Sequence, residues 1–444
     1  MKLSSSESWE VEPGDLVRWR PVPVGEAEGT STPISESERF HLAAVAAGQP
    51  GWMALTLDFP KSLDPDRLGA VVGEVVGRHD VLRGHYVRTP DSGFARLLHP
   101  AAAVEAGVHE ACPDRDARDL GARLAREISE TCDPFGPLPH FLAAVIRPDS
   151  TTLICAFDHC YVDARSLSLL TWEICELTAG RGLPPAESGL DALRRMAEVE
   201  ASVPPDDPRV ADWGRFLAAA GWRVPEFPLD LGVATGAALP AGTMVRTLLS
   251  AEDATRFSAT VGGVGARTYP ALLSCAGKAI RAVGGPREVA TVAPAGTGAG
   301  PGCVCWSVGN APLLIWSDGD LAPAMTRNTD RLANALPLAG IGLTPVFAAY
   351  GDRLRPSRND VFMMSYVDYT RVPAPAGEVT VRQVSCQKPT DTAQWWFWRD
   401  EDGIHVRVRY PDTERAVQVL AGTLDEMTAL VGSVLRAGGS AGGP

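Results

Sequence analysis

The sequence has no run that approaches the ~20 consecutive apolar residues of a membrane-spanning helix, so we expect no membrane span. Basic charge is also scarce: 41 Lys and Arg stand against 54 Asp and Glu, a formal net charge of -13. Because nucleic-acid binding needs a basic surface, this balance argues against a nucleic-acid partner. No repeat period of the kind that marks solenoid proteins is present.

Spacings that mark metal sites are missing as well. The nine cysteines form no Cys-x-x-Cys pair, and Cys303 and Cys305 do not match a zinc-binding spacing. His159 and Asp163 have no third ligand nearby at a recognisable spacing, so we predict no metal site. Scattered cysteines in a chain without a recognisable signal peptide are typical of reduced thiols, and we expect a cytoplasmic protein.

Motifs for cofactors and for a serine nucleophile are absent too. No Gly-x-Ser-x-Gly elbow occurs. The glycine-rich residues 295–302 lack the Lys-Ser/Thr ending of a phosphate loop and the spacing of a dinucleotide fingerprint. We therefore interpret residues 295–302 as a flexible turn and expect no permanently bound cofactor.

The remaining pattern predicts a large mixed α/β protein. With 444 residues, 45% of them hydrophobic, the chain is long enough for two or three domains of ~150 residues. Strand-like and helix-like segments alternate in both halves, which favours an α+β sandwich in each. Residues 225–243 are rich in Pro, Gly and Ala and are interpreted as a crossover linker between lobes 1–224 and 244–436. Residues 437–444 are expected to be a disordered tail.

One stretch concentrates chemistry-bearing side chains. Residues 151–157 form an apolar, β-branched run of strand length, and helical spacing resumes after Asp163 until Gly180. Asp158 and His159 should face opposite sides while the chain stays extended. If the chain turns after Cys160, Asp163 can swing back to fix either the loop or the tautomer of His159. From spacing alone, a structural histidine is the simpler interpretation.

Several short motifs resemble those of a known superfamily. Residues 78–83, Arg-His-Asp-Val-Leu-Arg, are similar to an Arg-His-x-x-Leu-Arg segment of the condensation-domain superfamily. The Gly-Pro-Leu turn at 136–138 also resembles one of its segments. His159 and Asp163 match the second His and the Asp of its His-His-x-x-x-Asp-Gly motif, and Asn310 lies in a stretch similar to its Gly-to-Asn motif. The motifs follow in the right order over nearly the whole chain, as in a free-standing condensation enzyme.

The resemblance implies a fold and a reaction. The expected fold is two chloramphenicol-acetyltransferase-like lobes in a V, with a tunnel between them. An acyl thioester on the phosphopantetheine of an acyl or peptidyl carrier protein would meet a small-molecule amine or alcohol there. His159 would accept or position the proton of that nucleophile, without an acyl-enzyme intermediate. Asp163, normally paired with an Arg, and Asp158 would support the site.

Departures from the family pattern keep three readings open. Asp158 replaces the first His of the motif, Ala164 replaces its Gly, and residues 295–302 contain no Arg to pair with Asp163, for which Arg165 or Arg287 could substitute. The chain is then a carrier-dependent condensation enzyme of natural-product biosynthesis, an acyl-CoA-dependent acyltransferase, or an inactive module that recruits a partner protein.

Three further residues are candidates for substrate binding. They are Tyr161 inside the motif, Asn310, and Gln394, which begins a hairpin strand. The alternative for Tyr161 is core packing, and for Gln394 a capping or solvent-exposed role.

Overall fold

The computed structural model describes residues 2–111, 116–234, 236–356, 358–372 and 377–440. The strands are β1 (Lys2–Ser5), β2 (Asp15–Trp19), β3 (Pro21–Val24), β4 (Glu28–Gly29), β5 (Trp52–Phe59), β6 (Gly84–Arg88), β7 (Phe94–Leu98), β8 (Ala101–Val104), β9 (Val108–Ala111), β10 (Phe141–Ile146), β11 (Thr151–Asp158), β12 (Ala241–Ser250), β13 (Glu288–Gly296), β14 (Val308–Trp316), β15 (Met364–Asp368), β16 (Thr380–Ser385), β17 (Gln394–Asp400) and β18 (Gly403–Pro411). The helices are α1 (Glu36–Ala46), α2 (Pro65–Arg78), α3 (Ala117–Thr131), α4 (Ala164–Thr178), α5 (Gly189–Ala201), α6 (Pro208–Ala219), α7 (Ala251–Gly263), α8 (Thr268–Ala282), α9 (Leu321–Ala335), α10 (Thr344–Tyr350) and α11 (Glu414–Ser440).

The chain divides into two compact units whose boundaries differ from the predicted ones. The first unit contains Met1–Glu198, Gly298–Ser307 and Val372–Lys388, and the second contains Val199–Thr297, Val308–Arg371 and Pro389–Pro444. The predicted division near residue 224 is therefore corrected, because two later segments of the chain return to the first unit.

Neither the linker nor the tail is as predicted. Residues 225–243 belong to the second unit, where Phe227 and Leu231 are buried in the core, so they are not a separate linker. Helix α11 continues to Ser440. The predicted tail thus starts too early, and residues 441–444 lie outside the described residues.

The first unit is built on a seven-stranded sheet in the described part of the chain. Its strand order is β1-β16-β5-β11-β10-β2-β9, so β11 lies at the centre. Every residue of β11 is buried. Leu153 and Cys155 pack into the same core as residues of α2 and α4, while Ile154 and Ala156 pack on the other face with residues of α3. This burial on both faces explains the uninterrupted apolar run of the strand.

Helix α4 begins directly after the loop that follows β11. Asp163 is its N-cap residue, and Leu167, Leu170 and Ile174 bury its inner face. The helix ends before Gly180, whose φ of 76° suits a helix terminus and is accessible to glycine without strain. The predicted strand, loop and helix are therefore confirmed, and they place the loop 159–163 at the end of a rigid central strand.

The second unit contains a four-stranded sheet of order β12-β18-β17-β15 and the hairpin β13–β14 within the described residues. Leu420, Leu424, Met427 and Val431 of α11 are fully buried in its core. The mixed α/β class predicted from the sequence is confirmed in both units.

No single helix of the described residues is both long enough and apolar enough to cross a membrane. One bent pair, Leu321–Ile341 with Thr344–Arg353, satisfies the length and composition criteria jointly, with a 96° bend between its halves.

Candidate active site

His159 follows the last residue of β11 and is held at three points. Its backbone N–H donates to the carbonyl of Gly51 (2.8 Å), and its Nδ1 lies 2.7 Å from the carbonyl oxygen of Val162. A carbonyl oxygen can only accept, so the proton resides on Nδ1 and Nε2 keeps its lone pair. The third contact is Trp306, whose ring stacks on the imidazole at 4.4 Å and 27°. The side chain is thus oriented as a proton acceptor.

The surroundings of His159 favour its neutral form. The residue is half-buried, and burial lowers the pKa of its imidazole below the ordinary 6.5, with a further lowering from His41. The hydrogen bond to Val162 and the charge of Asp158 act in the opposite direction. Because the lowering effects win, the ring is unprotonated at neutral pH, as a general base requires.

A pH profile checks this direction. Activity should rise with pH as His159 loses its proton, and a lowered pKa moves that rise to lower pH. We therefore expect the acid limb of kcat/KM to have its midpoint below pH 6.5. A midpoint above pH 6.5, measured with a buffer series of constant ionic strength, would contradict the assignment of His159 as the base.

Asp163 fixes the loop rather than the tautomer. One carboxylate oxygen, Oδ1, accepts from the backbone N–H of Ser166 (2.8 Å) at the start of α4. The other, Oδ2, accepts from both the backbone N–H and the hydroxyl of Ser307, each at 3.1 Å. Asp163 is only 3% exposed, so these hydrogen bonds compensate a buried charge. The sequence left open whether Asp163 fixes the loop or the tautomer of His159, and the hydrogen bonds of Asp163 in the structure are those that fix the loop.

The expected Arg partners of Asp163 are engaged elsewhere. Arg165 donates to the carbonyl oxygens of Gly300 and Cys303, and Arg287 pairs with Asp318 at 3.3 Å on the surface. The prediction that Arg165 or Arg287 pairs with Asp163 in place of the family's Arg is therefore corrected. Ala164 causes no strain, because it is the first residue of α4 and does not have a positive φ.

Residues 298–307, here called the inserted segment, are not a flexible turn. They leave the second unit between β13 and β14 and join the first unit. Ser166 Oγ donates to the carbonyl of Cys305 (2.9 Å) and accepts from its backbone N–H (3.2 Å). With the contacts of Arg165 and Asp163, these bonds fasten the segment to the start of α4. The segment places Trp306 on His159, which corrects the sequence-based interpretation of residues 295–302.

Asp158 is buried beneath the site and has an unexpected partner. Its Oδ1 lies 2.7 Å from Nε2 of His41 in α1 and accepts from the backbone N–H of Cys160 (2.9 Å). His41 also meets Trp306 edge to face at 5.7 Å, and its ring lies 6.1 Å from that of His159. Asp158 therefore contacts a histidine from a distant part of the chain, and its supporting role in the site stays a prediction.

Tyr161 is a packing residue, and the prediction that it binds substrate is corrected. It is 2% exposed, and its ring contacts Tyr86 and His140 in the core. Asn310 and Gln394 belong to the second unit, where Asn310 opposes Pro294 in the β13–β14 hairpin and Gln394 donates to the carbonyl of Val361 (3.1 Å). Their roles in substrate binding stay predictions.

The described residues contain no group of three or more His, Cys, Asp or Glu side chains that could hold a metal ion. Three contributors to the site were missed by the sequence analysis: His41, Trp306 and Ser307. Each lies far from the motif in sequence, and only an aromatic residue next to a glycine-rich segment could have drawn attention to Trp306.

Comparison with known proteins identifies relatives along most of the chain. No protein-family model matches the chain. The acyltransferase PapA3 of Mycobacterium tuberculosis is 24% identical over 339 residues, which cover 71% of this chain and 70% of PapA3. The trehalose-2-sulfate acyltransferase PapA2 of Mycobacterium bovis is 23% identical over 465 residues, covering 96% of each chain.

Solved structures share the fold. The PapA2 acyl transferase superposes with a TM-score of 0.88 at 21% identity, covering 98% of this chain and 100% of the other. The first condensation domain of the calcium-dependent antibiotic synthetase, in complex with a substrate analogue, has a TM-score of 0.69 at 16% identity, covering 93% and 96%. The chain thus shares the fold of condensation domains and is similar in sequence to two named acyltransferases.

Proposed function

We propose that this acyltransferase transfers an acyl group from the phosphopantetheine thioester of a carrier protein to a hydroxyl group of a small molecule, as a step in natural-product biosynthesis. The observation that carries the proposal is the orientation of His159. Its Nδ1–H is held by the Val162 carbonyl at 2.7 Å, which leaves the Nε2 lone pair available for a proton.

The proposed reaction balances without a covalent enzyme intermediate. The acceptor oxygen attacks the thioester carbonyl carbon while His159 Nε2 takes the hydroxyl proton. The C–S bond then breaks, and the imidazolium returns the proton to the departing thiolate, giving an ester and a free thiol. The Val162 carbonyl accepts from Nδ1–H throughout and favours the transient positive charge. Much of the remaining rate would come from holding the two substrates together.

The choice of a hydroxyl acceptor rests on a relative. The relative PapA2 is named for acyl transfer to trehalose-2-sulfate, a hydroxyl-rich compound. An amine acceptor, which would give an amide, is the alternative from the wider superfamily. The choice of a carrier-bound donor rests on the likeness to a synthetase condensation domain, and acyl-CoA is its alternative.

A donor and acceptor matrix tests the proposal. The protein is incubated with octanoyl-loaded acyl carrier protein or octanoyl-CoA, each with a panel of sugars and polyols or a matched panel of amino sugars. Products are identified by mass spectrometry. We expect ester formation, with kcat/KM at least tenfold higher for the carrier-bound donor. Faster transfer from octanoyl-CoA would contradict the carrier-bound donor and favour acyl-CoA. Formation of amide products only would contradict the hydroxyl acceptor and favour an amine.

The same assay separates catalysis from recruitment. His159→Gln keeps a polar side chain of similar size but cannot act as a base at neutral pH. If the chain is an inactive module that recruits a partner protein, the wild-type protein will yield no more product than this variant with any donor. That result would overturn the proposed enzyme.

A further inference from the structure

A second imidazole stands beside the proposed base, and nothing in the motif accounts for it. His41 comes from α1, more than a hundred residues before β11, yet its Nε2 lies 2.7 Å from Oδ1 of Asp158. Asp158 holds the position of the first His in the family's motif. The chain therefore has a carboxylate where a histidine is expected and brings in a histidine from elsewhere to meet that carboxylate.

The helix that carries His41 is firmly anchored. Ser35 and Glu38 form a capping box at the start of α1. Glu38 is 2% exposed and also forms a buried ion pair with Arg96, and it accepts from the hydroxyl of Tyr86 (3.0 Å). Because Glu38 is one turn before His41, these bonds fix the part of the helix from which the imidazole projects.

Gly51 leaves the space that the His41 ring occupies. A Cβ atom at this position would overlap Cε1 of His41. The carbonyl of the same residue accepts the backbone N–H of His159 (2.8 Å). One glycine thus contacts both histidines, and an alanine there would displace the His41 ring without removing it.

The contact between His41 and Asp158 affects the protonation of His159 through the negative charge of Asp158. Asp158 is fully buried, and a carboxylate so close to His159 stabilises the imidazolium, which cannot accept a proton. A hydrogen bond from His41 Nε2–H offsets that negative charge. The titratable groups recorded around the His159 ring are His41 from α1 and Asp158 from β11, with Trp306 of the inserted segment covering one face.

We propose that His41 is a positioning residue for the reaction: by pairing with Asp158 it keeps His159 neutral and ready to accept a proton. The inference rests on the proposed function for its catalytic meaning. Its effect on the pKa of His159 can be measured without any substrate.

The test is an NMR titration of the His159 imidazole in 15N-histidine-labelled protein, with His159→Gln used to assign the signal. His41→Phe keeps a ring but removes the donor to Asp158, and we expect it to raise the pKa of His159 by about one unit. His41→Gln keeps an N–H donor and should raise it less. Adding Asp158→Asn to His41→Phe should reverse most of the rise.

Two further variants keep the test decisive. Gly51→Ala displaces His41 and should raise the pKa of His159 even if His41→Phe fails to fold. His109→Gln removes an exposed histidine of β9 and should change nothing. An unchanged His159 titration in whichever of His41→Phe and Gly51→Ala folds would overturn the inference, as would a rise that persists in His41→Phe/Asp158→Asn. Failure of the acyl-transfer assay alone would overturn only the proposed function.

Discussion

Replacing His159 with alanine is expected to lower kcat/KM for acyl transfer by about 10²–10⁴-fold, the usual contribution of a general base. The loss follows from removing Nε2, the atom that takes the acceptor's proton. Binding of the carrier protein should be nearly unchanged, because the substitution affects a single half-buried side chain. The measurement is steady-state transfer, with carrier binding determined in parallel by calorimetry.

A matched substitution tests whether the loss of activity is specific to His159. His109→Ala removes an exposed histidine from the same unit and should retain full activity. His159→Ala should also keep the thermal unfolding profile of the wild-type protein within a few degrees. Retention of wild-type activity by a folded His159→Ala protein would eliminate this residue as the base.

The second large effect is expected at Asp163. Asp163→Ala removes the acceptor of three hydrogen bonds, one from the backbone N–H of Ser166 and two from the backbone N–H and the hydroxyl of Ser307. Losing a buried hydrogen bond of this kind costs about 1–3 kcal/mol and the costs are not fully additive, so we expect the free energy of unfolding of the first unit to fall by about 3–5 kcal/mol. Transfer activity should fall as well, because the inserted segment that places Trp306 on His159 is released.

Two controls resolve the contributions of Asp163. Asp163→Asn retains an acceptor for Ser166 but presents an amide to the donors of Ser307, so amide hydrogen exchange should accelerate in residues 298–307 more than in α4. Asp116→Ala removes the N-cap of α3, which has an exposed side chain, and should cost about 1 kcal/mol. If Asp163→Ala costs no more than Asp116→Ala in urea unfolding, the fastening role of Asp163 is wrong.

Local sequence patterns predicted the frame of the site well. The apolar run of β11 and the helical spacing up to Gly180 both express physics that acts over a few residues, and the structure confirms both. The loop that carries His159 was located in the same way, because a strand followed by a helix leaves a short loop between them, whereas the catalytic role of His159 was taken from the resemblance to the superfamily. Ala164 also became interpretable once its place at the start of α4 was known.

Contacts between distant segments could not be read from those patterns. The strand β16 joins the first unit's sheet beside β5, although more than three hundred residues separate them. The inserted segment contains several glycines and has no periodicity, so nothing local indicates that Arg165 and Ser166 hold it. His41 lies on an ordinary surface helix, and only the fold brings it to Asp158.

Tyr161 shows the opposite error. Its place inside the motif suggested contact with substrate, but the turn after β11 places its ring in the core against Tyr86 and His140. Motif membership identifies a segment, whereas burial decides which of its side chains can meet a ligand.

The most direct test of the account is the tautomer of His159, read from long-range 1H–15N correlations at pH 7.5. We predict a protonated Nδ1, held by the Val162 carbonyl, and an Nε2 with the chemical shift of an unprotonated ring nitrogen. A proton on Nε2, whether in the other neutral tautomer or in the imidazolium, would contradict it.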